Sequence, residues 1–300
     1  MLKLFLLIFW LFNVSILYAD NQHIYQYECD HNISQSCHVL GIDILKNTNN
    51  KKEQLQASEL IAKSCILGYG DGCTDLGLLF YNGNKGVHKN WKRASHFFME
   101  GCKKKSYHGC SNLGLMYFKG IGFKKNERYA QKLFTMACDN NISIGCRNLG
   151  VLYHQGSQKM RHDTWAKVAY SKGCDLGDMT ACSNLGVMYQ YGTGIKKSYA
   201  KAVSLYKKAC EGAYPMACSN LGYMYEKGLG VKYSLKSAVP YYRIASDYGD
   251  VRGMYNLARL YFTGLGIKED QGKAKILFQK ACQGGFSQAC RYFQMMFGKK

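Results

Sequence analysis

The fourteen cysteines of this chain constrain its fold more than any other feature. Cys29, Cys65, Cys102, Cys138, Cys174, Cys210 and Cys282 are each followed eight residues later by a second cysteine, at Cys37, Cys73, Cys110, Cys146, Cys182, Cys218 and Cys290. Successive pairs stand 36 residues apart, with one step of 37 where Asn84 to Gly86 lengthens a loop. Where an eighth pair is due, Ser246 and Met254 keep the register. A period of about 20–50 residues means stacked supersecondary units rather than one globular core.

Two helices fit inside each period. The first carries Leu, Met and Tyr at helical spacing (Leu113, Met116, Tyr117; Leu185, Met188, Tyr189; Leu221, Met224, Tyr225), which marks one buried face. A glycine beside that leucine (Gly77, Gly114, Gly150, Gly186, Gly222, replaced by Ala258) costs about 1 kcal/mol in a helix, so its repeated use predicts close approach of a second helix. A Gly-x-Gly turn follows, as at Gly192 and Gly194, then a column of N-cap residue types: Asn90, Asn126, Ser198, Ser234 and Asp270. The second helix presents an alanine and, four residues on, an aromatic: Ala94 with Phe98, Ala130 with Phe134, Ala202 with Tyr206, Ala274 with Phe278. Seven helix pairs are predicted, with a lone half-unit after Cys290 as a cap.

The Asn-Leu-Gly-x-Met-Tyr, Gly-x-Gly and Lys-Ala signatures make the chain resemble the Sel1-like repeat, a relative of the tetratricopeptide repeat, over nearly everything after the first thirty residues. With a cysteine pair in each unit it is similar to the Helicobacter cysteine-rich protein family. It departs from the pattern in the first unit, where Glu53 occupies the cap column, and in the fourth, where no second turn glycine stands between Gly156 and Trp165. The resemblance implies an all-α fold, a right-handed α/α solenoid stapled by disulfides. It also implies penicillin binding with slow β-lactamase activity.

Met1 to Ala19 stands apart. Lys3 precedes an apolar run from Leu4 to Phe12 and on through Leu17, and Ala19 is a small residue suited to cleavage. This reads as a secretory signal; an uncleaved anchor is the rival, although the run is short for the roughly 20 residues a span needs. Residues 20–300 are then a single solenoid, a monomer with no membrane span in its mature part, placed in the periplasm or outside the cell. An oxidising compartment makes an even set of regularly spaced cysteines a disulfide framework. Bridges within a unit, such as Cys73 to Cys102, would leave Cys29, Cys218, Cys282 and Cys290 without partners, whereas bridges between residues eight apart leave none. Zinc knuckles want cysteines two to four residues apart, so no metal and no cofactor is expected.

The formal net charge is +20, and it favours anionic partners. Nucleic acid is not expected, because the aromatics that would stack on bases sit in core columns. Ser-x-x-Lys occurs at Ser198 to Lys201 and at Ser204 to Lys207, without Ser-Asp-Asn or Lys-Thr-Gly. Ser198 is explained as a cap and Ser204 as a solvated helix position, so no catalytic residue is assigned.

Columns that vary between repeats are free to be shaped by a ligand. One stripe on the first helix does so: Arg147, Val151, His154; Ser183, Val187, Gln190; Ser219, Tyr223, Glu226; Tyr255, Arg259, Phe262. It resembles the peptide-contacting positions of tetratricopeptide-like solenoids, with Arg147, Arg259 and Tyr223 as candidate contacts. Beside it runs a fixed column of Asn112, Asn148, Asn184, Asn220 and Asn256, with Asp75 earlier. A row of carboxamides offers a donor and an acceptor each to an extended backbone; equally, each could bond to a neighbouring helix inside the stack. Two functions therefore stand: a secreted scaffold binding a peptide or protein segment of anionic character in its groove, and a protein that binds β-lactams and hydrolyses them slowly. The junction at Ser246 and Met254, with Pro240 inside the preceding helix, is expected to open first.

Overall fold

The computed structural model describes residues 21–83 and 86–298; the stretch from Met1 to Ala19, read above as a secretory signal, and the inserted Asn84 lie outside the described residues. These residues are helical throughout, with no strand among them. Residues 21–30 form α1. Seven helix pairs follow: α2 (Ser34–Asn47) and α3 (Lys51–Ile66), α4 (Gly70–Asn82) and α5 (Trp91–Lys103), α6 (Tyr107–Lys119) and α7 (Glu127–Asp139), α8 (Ser143–Gln155) and α9 (Asp163–Asp175), α10 (Met179–Tyr191) and α11 (Tyr199–Glu211), α12 (Pro215–Lys227) and α13 (Leu235–Asp247), α14 (Val251–Thr263) and α15 (Gln271–Gln283). A single α16 (Ser287–Phe297) ends the α/α solenoid. The chain divides into an N-terminal unit ending at Asn148 and a C-terminal unit starting at Leu149, the division falling inside α8.

The helix pair is closed by a ring pressed onto a glycine. A Cβ at Gly77, Gly114, Gly150, Gly186 or Gly222 would lie 2.5 to 2.8 Å from the ring of Phe98, Phe134, Tyr170, Tyr206 or Tyr242 on the second helix of the same pair. These rings are at most 1% exposed. Only a residue without a side chain lets an aromatic reach the first helix's backbone, which explains the glycine column despite its propensity cost. The first helices α4, α6, α10, α12 and α14 end on a left-handed glycine, Gly83, Gly120, Gly192, Gly228 and Gly264. The fourth pair closes differently, with Met160 and Arg161 N–H donating to the Ser157 carbonyl.

All five cap residues accept a bond from the backbone three residues on, for example Asn126 from Tyr129 N at 3.0 Å and Asp270 from Lys273 N at 2.9 Å. In the first pair the cap is Asn50, which accepts from Lys52 N at 2.8 Å, and α3 starts correspondingly early. Glu53, in the cap column by register, instead accepts the Thr48 hydroxyl at 2.5 Å. His162 makes no cap bond and stacks on Trp165.

Every cysteine is bridged to the one eight residues away, with Cα–Cα separations of 4.4 to 4.7 Å. Each bridge joins the end of a second helix to the start of the next first helix, so Cys29 on α1 staples that extra leading helix to α2. On the chain-entropy view each such loop restrains the unfolded chain by roughly 2–3 kcal/mol. Lysines in the last turns add a second tie: Lys63, Lys104 and Lys208 Nζ donate to the carbonyls of Cys29, Cys65 and Cys174 at 2.7, 2.7 and 3.1 Å. These carbonyls belong to helix C-termini, where a cation is favoured.

The unstapled junction is held by side chains instead. Asp250 accepts from Gly253 N at 2.7 Å and from the Ser219 hydroxyl at 2.5 Å, capping α14 and tying it to α12. Pro240 is exposed and α13 runs through it without a break. No described helix is long and apolar enough to cross a membrane.

Candidate functional site

Each unit carries a cleft lined by its first helices. In the C-terminal unit it measures about 340 Å³ and is lined from α10, α12 and α14 by Asn184, Asn220 and Asn256, with Val187, Tyr223 and Met216 as apolar walls and Arg252 at its α14 side. The three carboxamides make no side-chain hydrogen bond within the described residues. Arg252 is the decisive residue. Its Nη2 is shielded from solvent yet has no hydrogen-bond partner among the described residues. A buried guanidinium nitrogen without an acceptor costs free energy, and native structures rarely leave one so.

The neighbouring polar groups are already spent. The Tyr206 hydroxyl donates to Gln190 Oε1 at 2.6 Å, and the Tyr242 hydroxyl donates to Glu226 Oε2 at 2.9 Å. Arg259 Nη2 donates to the same Glu226 oxygen at 2.5 Å, and Lys227 Nζ lies 3.0 Å from Oε1. Burial by itself would raise the Glu226 pKa; the bond from Lys227, the Arg259 charge and the Tyr242 hydroxyl outweigh it and hold the carboxyl below its usual range. Burial also pushes the Tyr206 and Tyr242 phenols well up, so both stay protonated donors.

This pairing accounts for Gln190 and Glu226 in the third column of the variable stripe, whereas His154 in the same column faces Asp163 at 2.9 Å. Gln190 and Glu226 stand sixteen residues before Tyr206 and Tyr242. Where the core ring is Phe134 or Phe278 the same column holds Phe118 or Phe262. The column varies because a buried hydroxyl needs an acceptor and a buried phenyl does not.

The N-terminal unit's cleft, about 520 Å³, is lined by His38, Asp71, Thr74, Asp75, Leu78, His108, Asn112 and Ile144. Here the polar groups meet one another: His38 Nε2 lies 2.7 Å from Asp75 Oδ2, and the Ser106 hydroxyl donates to Asp71 Oδ1 at 2.5 Å. Asn148 is likewise engaged, its Nδ2 donating to the Ser111 hydroxyl at 3.1 Å.

The Sel1 repeat profile matches residues 108–142, 143–164, 180–214, 215–250 and 251–286, more than half of the chain. The chain belongs to the Sel1 repeat family. Among solved structures this Sel1-repeat chain is similar to a protective antigen of uropathogenic Escherichia coli with an SLR fold, at 23% identity and a TM-score of 0.75 over 93% of this chain and 59% of that one. A Sel1 repeat protein from Oxalobacter formigenes matches at 26% identity and a TM-score of 0.69, over 82% and 96% of the two chains. Cysteine-rich protein B of Helicobacter pylori is 31% identical over 43% of this chain and 93% of its own length, with a TM-score of 0.35. No curated protein matches.

Of the ligand residues expected from sequence, Asn184, Asn220, Asn256 and Tyr223 line the Sel1 chain's C-terminal cleft and Asn112 lines the N-terminal one. Asn148 is held within the stack, and Arg259 is committed to Glu226. Arg147 is a partnered side chain that lines neither cleft. Arg252 was missed. It stands in a repeat column read as Asp71, His108, Ile144, Thr180 and Met216 before it, where a lone arginine among unrelated types was the available sign.

Proposed function

We propose that this Sel1-repeat chain is an extracytoplasmic binding scaffold whose C-terminal cleft takes an acidic segment of a peptide or protein. The observation that carries the reading is the shielded, unpartnered Nη2 of Arg252 in a cleft that also holds three uncommitted carboxamides. Arg252 lines the cleft, and its guanidinium, once turned toward the opening, gains in a ligand carboxylate the acceptor it lacks, with a fork that matches it in two bonds. Asn184, Asn220 and Asn256 then pair with the extended backbone, while Tyr223 and Val187 cover its apolar side chains. The excess of positive charge steers such a ligand inward. Placement outside the cytoplasm rests on the apolar leader and on seven disulfides that need an oxidising compartment.

Lactam hydrolysis, which the family resemblance implies, draws no support from the two Ser-x-x-Lys matches. The Ser198 hydroxyl caps α11 and Lys201 lies over the Tyr189 ring, while Ser204 is an exposed helix position. The test is titration of the oxidised chain with a fluorescein-labelled acidic peptide of six to eight residues. Binding is expected for the acidic peptide and not for its all-glutamine counterpart, and Arg252→Ala should weaken it at least tenfold with unchanged circular dichroism. Equal affinity of the two peptides, or indifference to Arg252→Ala, overturns the reading.

A further inference from the structure

The turns that join first to second helices carry a surface the binding reading does not use. In the C-terminal unit these turns interlock into one continuous edge. Gly194 lies against Asp163 at the start of α9; a Cβ at Gly230 would meet the Tyr199 backbone at 2.6 Å, and one at Gly266 the Leu235 backbone at 2.7 Å. Residues at each turn and at the preceding second-helix N-terminus are therefore neighbours along the edge.

Lysines fill it. Lys167, Lys196, Lys197 and Lys201 line a cleft of about 490 Å³ with Thr164, Ser198 and Tyr189, and no carboxylate is among its walls. Lys232, Lys236 and Lys268 continue the row. The carboxylates on the same edge are engaged: Asp163 on His154 at 2.9 Å, Asp270 on Lys273 at 3.1 Å, and Glu269 accepting from Gln271. Lysines 196, 197 and 201 surround the N-terminus of α11, whose first turn has no acidic residue. Cations there oppose the helix dipole, so helix stability does not account for their placement.

Exposed apolar groups are interleaved with these charges. Trp165 is 51% exposed, Tyr233 60% and Leu265 51%. We infer that the turn edge of the C-terminal unit docks on an anionic lipid surface. Tryptophan, tyrosine and lysine together suit the headgroup layer, where an amphipathic ring or ammonium has one end dry and one wet. An anionic leaflet attracts lysines held close to its surface. Leu265 offers nothing to a base or a sugar ring to stack on. Two tyrosine faces are covered as well, Tyr199 by Lys197 at 4.6 Å and Tyr189 by Lys201 at 5.3 Å, which leaves a lipid surface as the better fit than nucleic acid or glycan.

The test uses the oxidised mature chain, residues 20–300, carrying Trp91→Phe, so that Trp165 is the single tryptophan. Vesicles of phosphatidylcholine with phosphatidylglycerol should move its emission to shorter wavelength and expose it to quenching by brominated acyl chains. Pure phosphatidylcholine should not. Raising salt from about 0.05 M to about 0.5 M should reverse the effect, and Lys196→Glu/Lys197→Glu/Lys201→Glu should weaken it at least tenfold while the melting temperature is retained. Salt reversal on the unaltered lysines keeps the test decisive if the triple variant fails to fold. An unchanged Trp165 emission on anionic vesicles overturns the inference, as does equal response to neutral ones. Retention on heparin or single-stranded DNA without a vesicle response overturns it in favour of a soluble polyanion.

Discussion

The N-terminal and C-terminal clefts are lined from the same repeat positions and differ in how their polar groups are spent. The column that gives Asp71 and His108 to one gives Arg252 to the other. The asparagine column gives Asn112 to the first and Asn184, Asn220 and Asn256 to the second. In the N-terminal cleft Asp75 meets His38 and Asp71 meets Ser106. In the C-terminal cleft Arg252 Nη2 has no partner among the described residues. A repeat fixes where side chains stand, and the choice of residue in one column decides whether that place is satisfied internally or left for a ligand.

Reversing the charge at Arg252 should break the contrast outright. Arg252→Glu is expected to lower affinity for an acidic peptide about 100-fold, close to 2.7 kcal/mol, by isothermal titration, whereas Asp75→Asn should leave it within twofold. If Asp75→Asn weakens binding as much, the two clefts do not differ in the way described.

Next in size is the hydroxyl pairing beneath the C-terminal cleft. Gln190→Leu strands the Tyr206 hydroxyl and should cost about 1–3 kcal/mol in chemical denaturation, whereas Gln190→Leu/Tyr206→Phe should be nearly neutral. The double variant leaves an apolar pair at these two positions, as Phe118 and Phe134 do in the N-terminal unit. Additive losses in the double variant would show that the pairing is incidental.

The asparagines sharpen the comparison further. Asn148→Ala removes a bond to Ser111 and should lower stability by about 1 kcal/mol without touching peptide affinity. Asn184→Ala and Asn220→Ala should weaken affinity severalfold with little change in melting temperature. Stability loss in all three would return the whole column to the stack.

The smallest effect is on pH. Glu226 has a lowered pKa in the folded chain, so its stabilisation is present above the ordinary glutamate value of about 4.3 and is lost as pH falls through the lowered one. Glu226→Gln should flatten the fall of melting temperature in that acidic window; an unchanged profile would exclude the linkage.

Much of this fold was legible because one unit is written seven times. The glycine column anticipated Phe98 and Tyr206 pressed on backbone, and the cap column anticipated Asn90 through Asp270. What escaped lay at departures from the repeat. The helix over residues 21–30 has no first-helix partner in sequence, and Asn50 caps α3 one turn ahead of the register. The third stripe column misled because its variation follows a ring on the opposite helix, a pairing hidden until both columns are read together. The clefts were legible as a face, through Asn184 and Tyr223, but Arg252 was not, since a single residue in a variable column has no periodicity to reveal it.

Hydrogen exchange of the oxidised chain with and without a saturating acidic peptide locates the cleft that the peptide occupies. New protection is expected at the start of α14 around Arg252 and along α10 and α12 beside Asn184 and Asn220, with α4 and α6 unchanged. Protection around Asp71 and His108 instead, or none at α14, would contradict that placement.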